Sequence, residues 1–106
     1  MIKLVNIVVR KPDYSFDEFV ERWTGPHADM AKELPGLQKY STSLPTDPER
    51  SEHDGIVELY FEDMGALKSA FSSEIGERVN ADAAEFIDME QGPTLYVEET
   101  TQLDRT

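Results

Sequence analysis

The stretch SFDEFVERWTGPHADMAKELPG, residues 15–36, decides how the rest of the chain is read. Ser15 and Glu18 have the spacing of a capping box. Asp17 and Glu18 also suit the positive end of a helix. Phe16, Phe19, Val20, Trp23, Met30, Ala31 and Leu34 fall, at about 100° per residue, within one face roughly 120° wide. The spacing predicts a helix over 15–34, stopped by Leu34-Pro35-Gly36. Pro26 has no N–H for the carbonyl of Arg22, and Gly25 loosens the backbone before it, so the helix is expected to kink or restart there. His27 lies near the centre of the apolar stripe, about 40° around the wheel from Trp23. A histidine at that position is either a core residue with satisfied nitrogens or the polar contact of an apolar pocket. The proline beside it favours room for a pocket.

Outward from this helix, the pattern alternates between strands and helices. Ile2–Val9 is broken only by Lys3 and Asn6 and reads as a central strand, apolar on both faces. Residues 37–44 form a weaker strand that carries Tyr40. Residues 45–54, rich in Pro, Asp, Glu and Ser, read as an exposed loop that holds His53 as a solvated side chain. Ile56–Phe61 has a strong strand composition. Asp63 caps a short helix with Leu67, Ala70 and Phe71, and a second helical piece spans 73–85. Phe86-Ile87-Asp88 links it to a last strand, 94–98. The order β-α-β-β-α-β predicts an α+β, ferredoxin-like sandwich over residues 1–100, followed by a polar tail over 101–106. A four-stranded sheet with helices on one side leaves its other face open. A second copy is the simplest cover, so a homodimer is expected.

Composition narrows the function classes. The 106 residues suit one hydrophobic core. There are no cysteines and only two histidines, which argues against disulfides, thiolate nucleophiles and a metal site. Ten basic side chains against 22 acidic ones give a net charge of −12. Such a surface repels nucleic acids and anionic membranes, and its acids, spread along the chain, match a protein adapted to a high-salt interior. No apolar run approaches the ~20 residues of a membrane helix. The N-terminal MIKLVNIVVRK lacks a small-residue cleavage site, so the cytoplasm is the expected location. P-loop, dinucleotide-binding, nucleophile-elbow and HExxH patterns are missing, and no cofactor is expected.

The candidate chemistry therefore gathers around His27. Asn6 interrupts an apolar strand, Tyr40 places a phenol on the second strand, and Glu58 and Tyr60 share one face of the third. Asp88 follows an apolar pair. Convergence of His27, Asn6, Tyr60 and a carboxylate would bind a small aromatic or carbonyl compound and move a proton. Each of these residues also has an ordinary reading: Glu58 paired or solvent-facing, the tyrosines as packing, Asp88 as a turn cap.

Phe19, Trp23, Pro26 and His27, then Leu34-Pro35-Gly36-Leu37, resemble the EthD family. Asp54-Gly55-Ile56-Val57-Glu58-Leu59-Tyr60-Phe61 is similar to its DG-x-x-E-L-x-F strand, and Phe86-Ile87-Asp88 to its F-I-D link. The likeness runs from Ile2 to about Glu99. It implies a dimeric α/β barrel, two ferredoxin-like subunits with sheets face to face. The family takes its name from a protein linked to ethyl tert-butyl ether degradation and includes dehydratases and decarboxylases of aromatic polyketides. Related barrels isomerise a muconolactone, oxidise polyketides without a cofactor, or bind haem. Carried over by position, the motif residues are Trp23, Pro26, His27, Glu58 and Asp88. Thr24 and Gly25 stand where the family often has a basic residue. The implied function is cofactor-free proton transfer. His27 would act as general acid/base, Asp88 or Glu58 would orient it, and Trp23, Asn6, Tyr40 and Tyr60 would contact a small-molecule ligand. A haem- or oxygen-using barrel, with His27 as axial ligand and Asn6 near bound oxygen, and a non-catalytic binding module are the alternatives.

Overall fold

In a computed structural model describing residues 1–106, β1 (Ile2–Val8) leads into α1 (Phe16–Thr24) and α2 (Pro26–Ala31). Then come β2 (Lys39–Ser43), β3 (Gly55–Phe61), α3 (Met64–Ser72), α4 (Glu74–Phe86) and β4 (Thr94–Glu98). The four strands form one antiparallel sheet in the order β2-β3-β1-β4, with β1 central as its composition requires. This is the ferredoxin-like α+β fold. No helix is long and apolar enough to cross a membrane. Residues 101–106 carry no helix or strand and are exposed.

The first helix is two helices. Ser15 Oγ accepts the Glu18 N–H and Glu18 Oε1 accepts the Ser15 N–H, which completes the capping box. The break falls at Gly25, whose backbone sits at φ −104°, ψ −106° while its N–H still reaches the Glu21 carbonyl. A Cβ there would stand 2.7 Å from that carbonyl oxygen. Pro26 then opens α2 at the position where a missing N–H costs nothing. α2 ends at Ala31 rather than Leu34, and turns carry the chain to Gly36, whose φ of +79° suits a residue without a Cβ.

Strand register settles which side chains share a face. Leu4 lies opposite Leu59 and Tyr96, and Asn6 opposite Val57 and Thr94. This set faces the helices, where Val57, Leu59 and Phe61 join Phe19, Trp23, Leu67 and Phe86 in the core. Lys3 lies opposite Tyr60 and Val97, and Val5 opposite Glu58 and Leu95, on the other face. No element of the chain covers that second face, and Ile56 and Leu95 are exposed on it.

Phe19, Trp23, Phe61 and Phe86 are the largest fully buried side chains. Trp23 stacks on Phe19 at 5.0 Å and leans on the backbone of Gly55. A Cβ on Gly55 would come within 2.6 Å of the indole, so the glycine of the Asp54-Gly55 pair is what lets the ring lie against β3.

Candidate active site

Helices and sheet do not meet everywhere. Between α1, α2 and α4 on one side and the inner sheet face on the other lies a cavity of about 290 Å³, lined by 20 residues of which 14 are hydrophobic. Trp23, Ala31, Leu4, Val57, Leu59 and Ala83 form much of its wall. His27 lines it as well and is 5% exposed. The break at Gly25 and restart at Pro26 are what aim His27 at the space below Trp23.

His27 does not stand alone. Its Nδ1 lies 2.7 Å from Asp82 Oδ2 on α4. Arg22, on the last turn of α1, donates to Asp82 Oδ1 at 2.8 Å and to the Tyr14 hydroxyl at 2.7 Å. Burial pulls the Asp82 carboxyl upward, but the hydrogen bonds from Arg22 and His27 outweigh it and hold the group below its ordinary range. Asp82 is therefore an ionised acceptor at neutral pH, and the proton on this side of the imidazole belongs to Nδ1. Nε2, which makes no hydrogen bond within the chain, is left as the basic nitrogen. Phe86 holds the arrangement from beneath: the His27 ring meets it edge-on at 5.3 Å, and the Arg22 guanidinium covers it at 4.8 Å.

The other predicted site residues divide between the two faces of the sheet. Asn6, Tyr40 and Asp88 line the cavity with Trp23 and His27. Glu58 and Tyr60 do not, because on β3 they alternate with the core-facing Val57, Leu59 and Phe61. The expected convergence of Tyr60 with His27 is corrected by this parity. Both residues instead join a polar cluster on the outer face. Glu58 accepts from Lys3 Nζ at 2.6 Å, and Tyr60 donates to Glu99 at 3.1 Å. The hydrogen bonds to Glu58 and Glu99 raise the Lys3 pKa. Asn6 is tied to the start of β4, donating to the Pro93 carbonyl and to Thr94 Oγ1. Asp88 does cap a turn, accepting the Glu90 N–H at Oδ1, while also bordering the cavity.

Tyr40 gives the cavity its ring, but its hydroxyl is buried with no hydrogen-bond partner. Burial pushes its pKa up to about 12. Removing the orphan hydroxyl leaves no partner behind, so Tyr40→Phe is expected to be neutral or stabilising by up to about 1 kcal/mol. The raised pKa adds a sign. The neutral phenol's contribution is complete below its ordinary value of 10.0 and is lost as pH rises through about 12. Chemical denaturation of the two proteins across the alkaline range checks both statements.

Asp82, Arg22 and Asn80, a further lining residue, were not singled out from sequence. Asp82 lies beside the stripe Val79, Ala83 and Phe86, all buried. An acid on the edge of an apolar stripe, with one arginine near the end of α1, was the available signal.

The geometry can be set beside known proteins. The chain matches the EthD domain over residues 11–90. No curated protein matches it. Among solved structures, an EthD family protein from Bacillus halodurans superposes with a TM-score of 0.80 at 24% identity, covering 94% of this chain and 99% of that one. SnoaB, a cofactor-independent oxygenase from Streptomyces nogalater, gives 0.74 at 12% identity, covering 98% and 97%. A dimeric ferredoxin-like protein of unknown function from Bacteroides fragilis gives 0.70 at 12%, covering 92% and 95%. At these identities the structures speak for the fold, and the domain match, over most of the chain, speaks for the family: the protein belongs to the EthD family.

Proposed function

We propose that this protein is a cofactor-free enzyme that moves a proton on a small aromatic or carbonyl metabolite, in the manner of a dehydratase, decarboxylase or isomerase. The observation that carries the reading is the 2.7 Å His27–Asp82 pair at the wall of an otherwise apolar cavity. Nε2 of neutral His27 takes a proton from carbon beside a carbonyl and leaves an enolate. The resulting imidazolium, stabilised by Asp82, returns the proton to another carbon or to a departing hydroxyl. Asp82 acts through His27 as a positioning residue, and Trp23 and Leu59 exclude water from the enolate. A cavity of this size lies at the small end of ligand pockets, which favours compounds of one or two rings over a tetrapyrrole.

The working unit is residues 1–100, paired as a homodimer, with 101–106 as a tail. The outer sheet face supports this pairing, since Val5, Ile7, Ile56, Leu95 and Val97 form an apolar centre edged by the Lys3–Glu58 and Tyr60–Glu99 contacts. The dimeric description of the Bacteroides fragilis neighbour adds to it.

Phenylacetone in D2O tests the chemistry without knowledge of the natural substrate. The protein is expected to accelerate exchange of its benzylic hydrogens, and His27→Ala to return exchange to the buffer rate with the fold intact. Unfolding of His27→Ala, together with normal exchange in His27→Gln, would assign the histidine to the core. SnoaB, a cofactor-independent oxygenase, supports a second reading, in which the same deprotonation prepares the substrate for oxygen. Oxygen uptake with an electron-rich phenol separates the two. A Soret band on adding haem would favour the haem alternative.

A further inference from the structure

The charges lining the cavity are of one sign. Its 20 residues include no lysine and no arginine. Of the nearby cations, Arg22 is paired with Asp82 and Glu85 and Arg10 with Asp54, and Lys11, whose N–H is bonded to the Phe86 carbonyl, does not line the space. Thr24 and Gly25 place no cation on the turn before His27. One formal carboxylate does border the space, that of Asp88, which is half-buried. Its backbone N–H is anchored to the Val9 carbonyl and its Oδ1 accepts the Glu90 N–H. The side chain is thus held in place by the chain turn, and Oδ2 has no partner within the protein.

We infer that the cavity is selective for uncharged ligands, and that Asp88 is the residue that sets this selectivity. This rests on the reading of the cavity as a ligand site and names the class of compound it takes: neutral ketones, phenols and lactones rather than carboxylates, phosphates or acyl thioesters of acidic carriers, which keeps the dehydratase and isomerase forms of the proton transfer and sets decarboxylation aside. An anion entering an apolar cavity loses its hydration and finds no cation to replace it. Asp88 adds repulsion that partial burial leaves incompletely screened. A neutral hydroxyl meets the opposite situation, since Oδ2 offers it an acceptor.

Phenylacetone and phenylacetate form a suitable pair, because they share ring and length and differ in charge. Trp23 is the only tryptophan and lines the cavity, so its indole N–H resonance reports binding at this site. Phenylacetone is expected to shift it, and phenylacetate to bind at least about tenfold more weakly at neutral pH. Asp88→Asn keeps an oxygen for the Glu90 N–H. It should strengthen phenylacetate severalfold while leaving phenylacetone within about twofold. Glu62 lies just after β3, at the end of the sheet away from Asp88. Glu62→Gln should leave the ratio unchanged, which separates a local filter from the net charge. Equal or tighter binding of phenylacetate, an unchanged ratio in Asp88→Asn, an equal change in Glu62→Gln, or no Trp23 shift up to the solubility limit of phenylacetone would each overturn the inference. The same titrations in His27→Ala separate this from the catalytic reading: selectivity should survive there even though exchange does not.

Discussion

Asp82→Asn is expected to slow exchange of phenylacetone hydrogens by about 10²–10⁴-fold while the protein remains folded. The carboxylate accepts from Nδ1 of His27 and from Arg22 at once, at 2.7 and 2.8 Å. An amide keeps the shape but offers one acceptor and one donor. If the acceptor goes to Arg22, the donor faces Nδ1, and the proton of the imidazole is driven to Nε2, where it blocks the base. Nitrogen NMR of His27 reads the switch directly, since the Nδ1–H form should dominate in the wild type and the Nε2–H form should grow in the variant. A slowed reaction with an unchanged tautomer would remove Asp82 from the positioning role. The pair also links stability to pH. Because the Asp82 pKa is depressed in the folded protein, its contribution is complete above its ordinary value of 3.8 and is lost as pH falls through the lower, folded value. Asp82→Asn should flatten the acid side of the stability profile.

Phe86→Ala should cost about 3–5 kcal/mol of stability by chemical denaturation, among the largest losses of any single truncation in the helix layer. The ring is fully buried and touches Tyr14, Phe19, His27 and Arg22. Its removal leaves a void that those four groups cannot close together, because Arg22 and His27 are held from above by Asp82. Phe86→Leu retains most of the volume and should recover most of the loss. A cost below about 1 kcal/mol for Phe86→Ala would show that the layer relaxes freely and that His27 is not held by packing.

The fold was largely legible because its signals are local. The Ser15–Glu18 box and the Asp63 cap each act within one turn of chain, and the apolar stripe through Trp23 repeats from one turn to the next. The site was legible only in part, because it depends on pairings between distant elements. That Glu58 and Tyr60 share a face follows from strand geometry. Which face it is depends on how β3 pairs with β1, and the clue was in the alternate set: Val57, Leu59 and Phe61 are all apolar, whereas Ile56, Glu58 and Tyr60 are mixed. Asp82 was hidden for a different reason. In a chain with 22 acids, one more carboxylate on a helix reads as solvated surface until Arg22 is brought beside it. Tyr40 was legible as a lining residue, but not the isolation of its hydroxyl, which arises from packing alone.

The contact between His27 and Asp82 spans 55 residues. On a ribosome, the histidine is therefore made long before its carboxylate. A nascent chain that ends within α3 holds three strands and the first helices but has no partner for Nδ1. On the proposed mechanism, proton-transfer competence would arrive only when α4 docks, so activity would report completion of the fold rather than its beginning. A cut anywhere between β2 and α4 divides the pair into two pieces, neither of which holds the chemistry. Mixing such fragments and watching the base return would time the docking of the last helix.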